Sequence, residues 1–129
     1  MKFRYTILYV DDVARTLSFF TEAFGFEKRF VHESGDYGEL DTGETRLAFS
    51  SRKLMTSLGK TPGDARPEKP VFEIAFETAD VETAMENALK AGAVSIQDPR
   101  EEAWGQKTAY VSEENGFLIE ICTPVAPQP

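Results

Sequence analysis

From position 3 to 10 the chain reads Phe-Arg-Tyr-Thr-Ile-Leu-Tyr-Val, a run of β-branched and aromatic residues that stops at Asp11-Asp12. This pattern predicts a strand running into a helix cap. Asp12 can accept from the free N–H groups of the first turn, and Val13, Leu17, Phe20 and Phe24 then recur at helical spacing as far as Gly25. One face of that helix is therefore core. Three shorter extended segments are expected at 27–33, 37–41 and 44–50, with a turn at Thr42-Gly43 joining the last two. The first half of the chain reads βαβββ.

The stretch 51–70 carries Gly59, Pro62, Gly63, Pro67, Pro70 and five positive charges, which is the chemistry of a linker or a lid. After it the order repeats. A strand is expected at 71–78, then a helix capped by Asp80, carrying Val81, Ala84, Ala88 and Leu89 on its core face and ended by Gly92. Strands follow at 93–97, 106–112 and 117–123, with Glu114-Asn115-Gly116 as the hairpin turn between the last two. The chain is thus read as one α+β domain of two tandem βαβββ modules. Module one covers 1–51, the linker or lid 52–70 and module two 71–123, leaving a loose proline-rich tail at 124–129.

Residues two apart on a strand share a face, so the apolar rows sort the sheet surfaces. Phe72, Ile74 and Phe76, like Phe117, Ile119 and Ile121, should lie under the second helix; Leu8, Val10, Leu40, Leu47 and Phe49 should lie under the first. The opposite rows then carry Phe3, Tyr5, Ile7 and Tyr9; Tyr37, Glu39 and Asp41; Arg46, Ala48 and Ser50; Val71, Glu73 and Ala75; Thr108 and Tyr110; and Leu118, Glu120 and Cys122. These rows combine aromatic rings with carboxylates.

Composition narrows the function classes. The 129 residues suit one domain, and 41% hydrophobic residues with ten Phe, four Tyr and one Trp provide for a core. Fourteen Lys plus Arg against 22 Asp plus Glu leave a formal charge of −8, which argues against nucleic acid or anionic lipid as partner and is compatible with a cationic one. With one cysteine, Cys122, no intrachain disulfide or Cys-rich metal site is possible, and it reads as a packed thiol. No signal-peptide pattern or membrane-length apolar run is visible, so a cytoplasmic protein is expected. The sole histidine, His32, is expected on the second strand and at the surface, and neither a nucleophile elbow nor a phosphate-binding glycine loop is present.

Several phrases in this order resemble the vicinal oxygen chelate superfamily, the glyoxalase, bleomycin-resistance and extradiol-dioxygenase group. They are Tyr9-Val10-Asp11-Asp12 leading to Phe19-Phe20-Thr21-Glu22-Ala23-Phe24-Gly25-Phe26, then Phe76-Glu77-Thr78-Ala79-Asp80-Val81, Trp104-Gly105-Gln106, and Glu114-Asn115-Gly116-Phe117-Leu118-Ile119-Glu120. The resemblance implies a cupped mixed sheet with helices on its convex side, commonly in a homodimer. It also implies ligand positions at Tyr5 and Ala48 in module one and at Glu73 and Glu120 in module two. Metal-using members resembling this chain have His where Tyr5 and Glu73 stand and a carboxylate where Ala48 stands. A transition metal wants about three or four converging donors, and here Glu73 and Glu120 are what is left.

The expected site is therefore a small-molecule site lined by Tyr5, Glu39, Arg46, Ala48, Glu73, Trp104, Tyr110 and Glu120. It needs no cofactor and suits a planar or cationic organic compound sequestered without chemistry, as in bleomycin-resistance proteins. The alternative is a divalent-metal lyase, isomerase or dioxygenase, with Glu73 and Glu120 as ligands; acid–base work by the same two carboxylates without metal is a third. Arg46 is the residue that decides the charge, because on reaching Glu39 or Glu120 it would neutralise the acid internally.

Overall fold

The repeat seen in the pattern becomes two compact units in the computed structural model, Met1–Gly63 and a second that begins at Asp64, with residues 1–125 described. In the first unit β1 (Tyr5–Val10) leads into α1 (Val13–Phe24), followed by β2 (Glu27–Val31), β3 (Tyr37–Asp41), β4 (Arg46–Ser51) and a short helix α2 (Arg52–Ser57). Asp12 caps α1 by accepting from the Arg15 N–H at 3.0 Å, and Gly25, with φ of 79°, returns its N–H to the Thr21 carbonyl at 2.9 Å. The sheet order is β1-β4-β3-β2, with β1 parallel to β4 and the remaining pairs antiparallel. α1 packs on β2, β3 and β4. Leu8, Val10, Leu40, Leu47 and Phe49 are buried, and the Phe20 and Phe49 rings meet at 5.2 Å, so the apolar rows lie where alternation put them.

The second unit repeats the order. β5 (Glu73–Glu77) leads to α3 (Val81–Lys90), then β6 (Val94–Glu101), β7 (Lys107–Ser112) and β8 (Leu118–Cys122), in sheet order β5-β8-β7-β6. Asp80 caps α3 through the Thr83 N–H at 3.0 Å. The helix lies on β6, β7 and β8, over the buried Ile119 and Ile121. Two four-stranded mixed sheets, each carrying its helix, make this an α+β fold of two βαβββ modules.

Several expectations need correction. The stretch 52–70 is not linker throughout: Ser51 accepts from the Leu54 N–H at 3.0 Å and starts α2, which buries Met55 and rests on β1 and β4. The glycines and prolines that suggested a linker all follow this helix, whose own residues include good helix formers. Arg52 ties it down through Asp11 at 3.3 Å and the Pro62 and Gly63 carbonyls. β1 begins at Tyr5 rather than position 3, and Phe3 is exposed. β2 ends at Val31, so His32 stands in the following turn, hydrogen-bonded to Ser34 at 2.8 Å, and not on a strand. On α3 Met85 takes the core position and Leu89 is exposed, because Val81, Met85 and Ala88 share one stripe at i, i+4 and i+7. β6 runs on to Glu101 through two register shifts against β7. Of the tail expected at 124–129, residues 126–129 lie outside the described residues.

Glu113 closes the last hairpin. It is buried, accepting from the Phe117 N–H at 3.2 Å and the Asn115 amide at 2.6 Å, while the Gly116 N–H bonds its carbonyl at 2.8 Å. Burial raises its pKa in spite of those bonds. The folded chain then holds the proton more tightly than the unfolded one, so this group's contribution to stability is full below the ordinary carboxyl value of 4.5 and is lost as pH rises through the raised folded value. Urea unfolding from pH 4 to 7 should show a shallower decline of stability over that window in Glu113→Gln than in the wild type; parallel profiles would refute the assignment.

Candidate functional site

In each module the helix covers one sheet face and leaves polar side chains on the other. In the first, the pairings Tyr5 with Arg46, Ile7 with Ala48 and Ala48 with Glu39 bring three of the expected residues around the buried Ala48. The Tyr37 hydroxyl donates to Glu39 Oε2 at 2.8 Å, and burial, then this bond, raise the phenol's pKa. Glu39 Oε1 lies 3.8 Å from Arg46 Nη1 and 3.8 Å from Arg29 Nε, and the Arg46 guanidinium sits 5.8 Å from the Tyr5 ring centre. Arg46 thus supplies Glu39 with a cation of the chain's own. Arg29 was not anticipated, because it stands where the register of β2 against β3 shifts, between Lys28 and Phe30, and simple alternation does not locate it.

In the second module the pairing of Tyr110 with Glu120 across β7 and β8, and of Ala75 with Glu120 across β5 and β8, gathers Tyr110, Glu120 and Glu73. The Tyr110 oxygen is 2.7 Å from Glu120 Oε2 and 3.1 Å from Glu73 Oε2. Burial first, and then the bonds to the two carboxylates, raise its pKa, so it remains a proton donor through the neutral range. A phenol has one proton to donate, so at any moment one of these two acceptors lacks it. Among the described residues no lysine or arginine lies within 4.0 Å of either carboxylate.

The duplication explains this difference. The trio Ile7, Ala48 and Glu39 occupies the register held in the second module by Ala75, Glu120 and Tyr110. By the same correspondence Tyr5 answers to Glu73 and Arg46 to Leu118. One module carries a single acid with an arginine at its side; the other carries two acids and a leucine in the arginine's place.

Close to Glu120 on β8, Cys122 is buried, and its thiol is pushed up to about 11 by burial and by the neighbouring Glu120 charge, which keeps it protonated and unreactive. Thr108 extends the polar row: its hydroxyl donates to Glu102 at 2.9 Å and accepts from Gln97 at 3.1 Å. Arg100 holds Glu102 at 2.7 Å, and these bonds lower the Glu102 pKa. Gln97 escaped the sequence reading because it stands between the two register shifts of β6 against β7, and Glu102 because it follows directly on the strand's extension to Glu101. Trp104 is 63% exposed, its indole N–H donating to Gln106 at 2.8 Å.

The donor set does not fit the transition-metal site that the sequence resemblance implies. Glu73 and Glu120 offer two carboxylates, Tyr110 retains its proton, and among the described residues no group of three His, Cys, Asp or Glu side chains converges. No helix among them is long and apolar enough to cross a membrane.

Comparison with known proteins agrees with this architecture. A curated relative, the uncharacterized protein YraH of Bacillus subtilis strain 168, is 23% identical over 127 residues, spanning 94% of this chain and 97% of its own. A glyoxalase-related enzyme from Fulvimarina pelagi superposes with a TM-score of 0.81 at 18% identity over 95% of this chain and 88% of its own. TioX from Micromonospora sp. ML1 does so with a TM-score of 0.77 at 18% identity, over 95% and 98%. Residues 2–121 match the family model, and the chain belongs to the Glyoxalase/Bleomycin resistance protein/Dioxygenase superfamily.

Proposed function

We propose that this protein binds a small planar or cationic organic molecule, with Glu73, Tyr110 and Glu120 as the recognising groups. The observation that carries the reading is the pair of carboxylates sharing one phenol proton with no lysine or arginine in ion-pair reach among the described residues. A cation that also donates a hydrogen bond satisfies the acceptor the phenol leaves open, and the Tyr110 ring adds an aromatic surface. Glu39 contributes less than the bare sequence suggests, since Arg46 and Arg29 already answer its charge. The metal-dependent lyase, isomerase or dioxygenase reading is not favoured by these donors. A homodimer belongs to the same proposal, supported by the two edge strands in the order of each sheet, and the cytoplasmic location expected from the sequence goes with it.

Calorimetric titration with benzylammonium and with benzoate, matched in ring and size, tests this. Benzylammonium should bind and benzoate should not. Each charge-assisted contact contributes about 1.5–3 kcal/mol, so Glu73→Gln and Glu120→Gln should each weaken the cation by roughly tenfold or more. Preference for benzoate, or unchanged cation binding in both variants, would overturn the proposal.

A further inference from the structure

The first module also holds a hollow of about 260 Å³, lined by Lys2, Phe3, Arg4, Arg29, Asp41, Gly43, Glu44 and Arg46. Four of the chain's fourteen basic residues meet there against two acids, in a protein whose formal charge is −8. Clustered cations of this kind are mutually repulsive unless an anion answers them. Glu39 does so in part, but its Oε1 lies 3.8 Å from both Arg29 and Arg46, beyond hydrogen-bond distance, so neither guanidinium spends a donor on it. Lys2 and Arg4 have no carboxylate within 4.0 Å among the described residues. Asp41 accepts from the Gly43 N–H at 3.5 Å, and neither it nor Glu44 forms an ion pair with the four cations.

We infer that this hollow binds an oxyanionic group, a phosphate or a carboxylate, at the forks of Arg29 and Arg46 with Lys2 and Arg4 closing over it. Planar guanidinium forks match the paired oxygens of both groups, and ammonium supplies a further point charge. The volume sits just below the range of drug-sized ligand sites, which suits a small anion with at most a short organic body. This site is separate in residues and opposite in charge from the Glu73, Tyr110 and Glu120 group, and it stands or falls independently of the function proposed above.

Amide NMR titration of the full chain with inorganic phosphate, and separately with acetate, at constant ionic strength set by sodium chloride, tests it. Saturable shifts confined to residues 2–4, 29, 41–44 and 46 are expected, with phosphate alone, acetate alone or both identifying the source of the oxyanion. The exposed pair Lys2→Gln/Arg4→Gln should weaken binding at least tenfold while leaving the unfolding midpoint where it is in the wild type. Shifts that never saturate and are matched by chloride alone, or equal binding by the double variant, would overturn the inference.

Discussion

An alanine in place of Phe20 is expected to lower the unfolding free energy by about 3–5 kcal/mol. Phe20 is fully buried on the inner face of α1, with its ring 5.2 Å from Phe49 of β4, 5.3 Å from Phe19 and 5.8 Å from Phe24. Removing the ring forfeits its transfer free energy and leaves a void that the close-packed sheet beneath can only partly fill. Since domains of this size are stable by about 5–15 kcal/mol, the change takes roughly a fifth of the total or more. Guanidinium unfolding followed by circular dichroism should show a lower midpoint with an unchanged slope. A loss below about 1 kcal/mol would mean that the helix does not rest on β4 through this ring.

Gly116→Ala is expected to cost about 2–4 kcal/mol, and Gly105→Ala clearly less. Both glycines have left-handed backbone, with φ of 89° and 92°, where a side chain carries a penalty of about 1–2 kcal/mol. They differ in their surroundings. A Cβ on Gly105 meets nothing within 4 Å, whereas on Gly116 it would collide with the Ala65 carbonyl oxygen and lie 2.8 Å from its carbon. Backbone atoms cannot rotate aside as a side chain does, so the strand-connecting segment around Ala65 would have to lift off the turn that Glu113 closes. Thermal unfolding of the two variants side by side checks this. Equal shifts in Tm would show that the close approach of Ala65 to this turn carries no weight.

Local rules explain why so much of the fold could be read in advance. The caps Asp12 and Asp80, the terminating Gly25, and the apolar rows on β4 and β8 depend on neighbours three or four residues away or on strict alternation, and each stands as expected. Where the local rule bends, the reading bends with it. Two register shifts in β6 and one in β2 placed Gln97, Glu102 and Arg29 beside groups that periodicity did not connect them to. Helix α2 was hidden because a short helix is held by its cap and by the sheet beneath it rather than by its own periodicity.

By itself, the sequence determined the duplicated βαβββ order, the helix-covered faces of β4 and β8, and the face on which Tyr5, Glu39, Arg46, Glu73, Tyr110 and Glu120 stand, because each of these follows from spacing along one segment. The row Phe72, Ile74 and Phe76 expected under the second helix is the exception, since β5 begins at Glu73, Phe72 is exposed and α3 rests on β6, β7 and β8. The sequence left open which acid Arg46 would meet. Only the tertiary structure decided that Arg46 and Arg29 approach Glu39 while Glu73 and Glu120 share the Tyr110 proton. The reason is physical: charge pairing depends on strand register across residues far apart in the chain, and a shift of one residue would have sent each of those side chains to the other face.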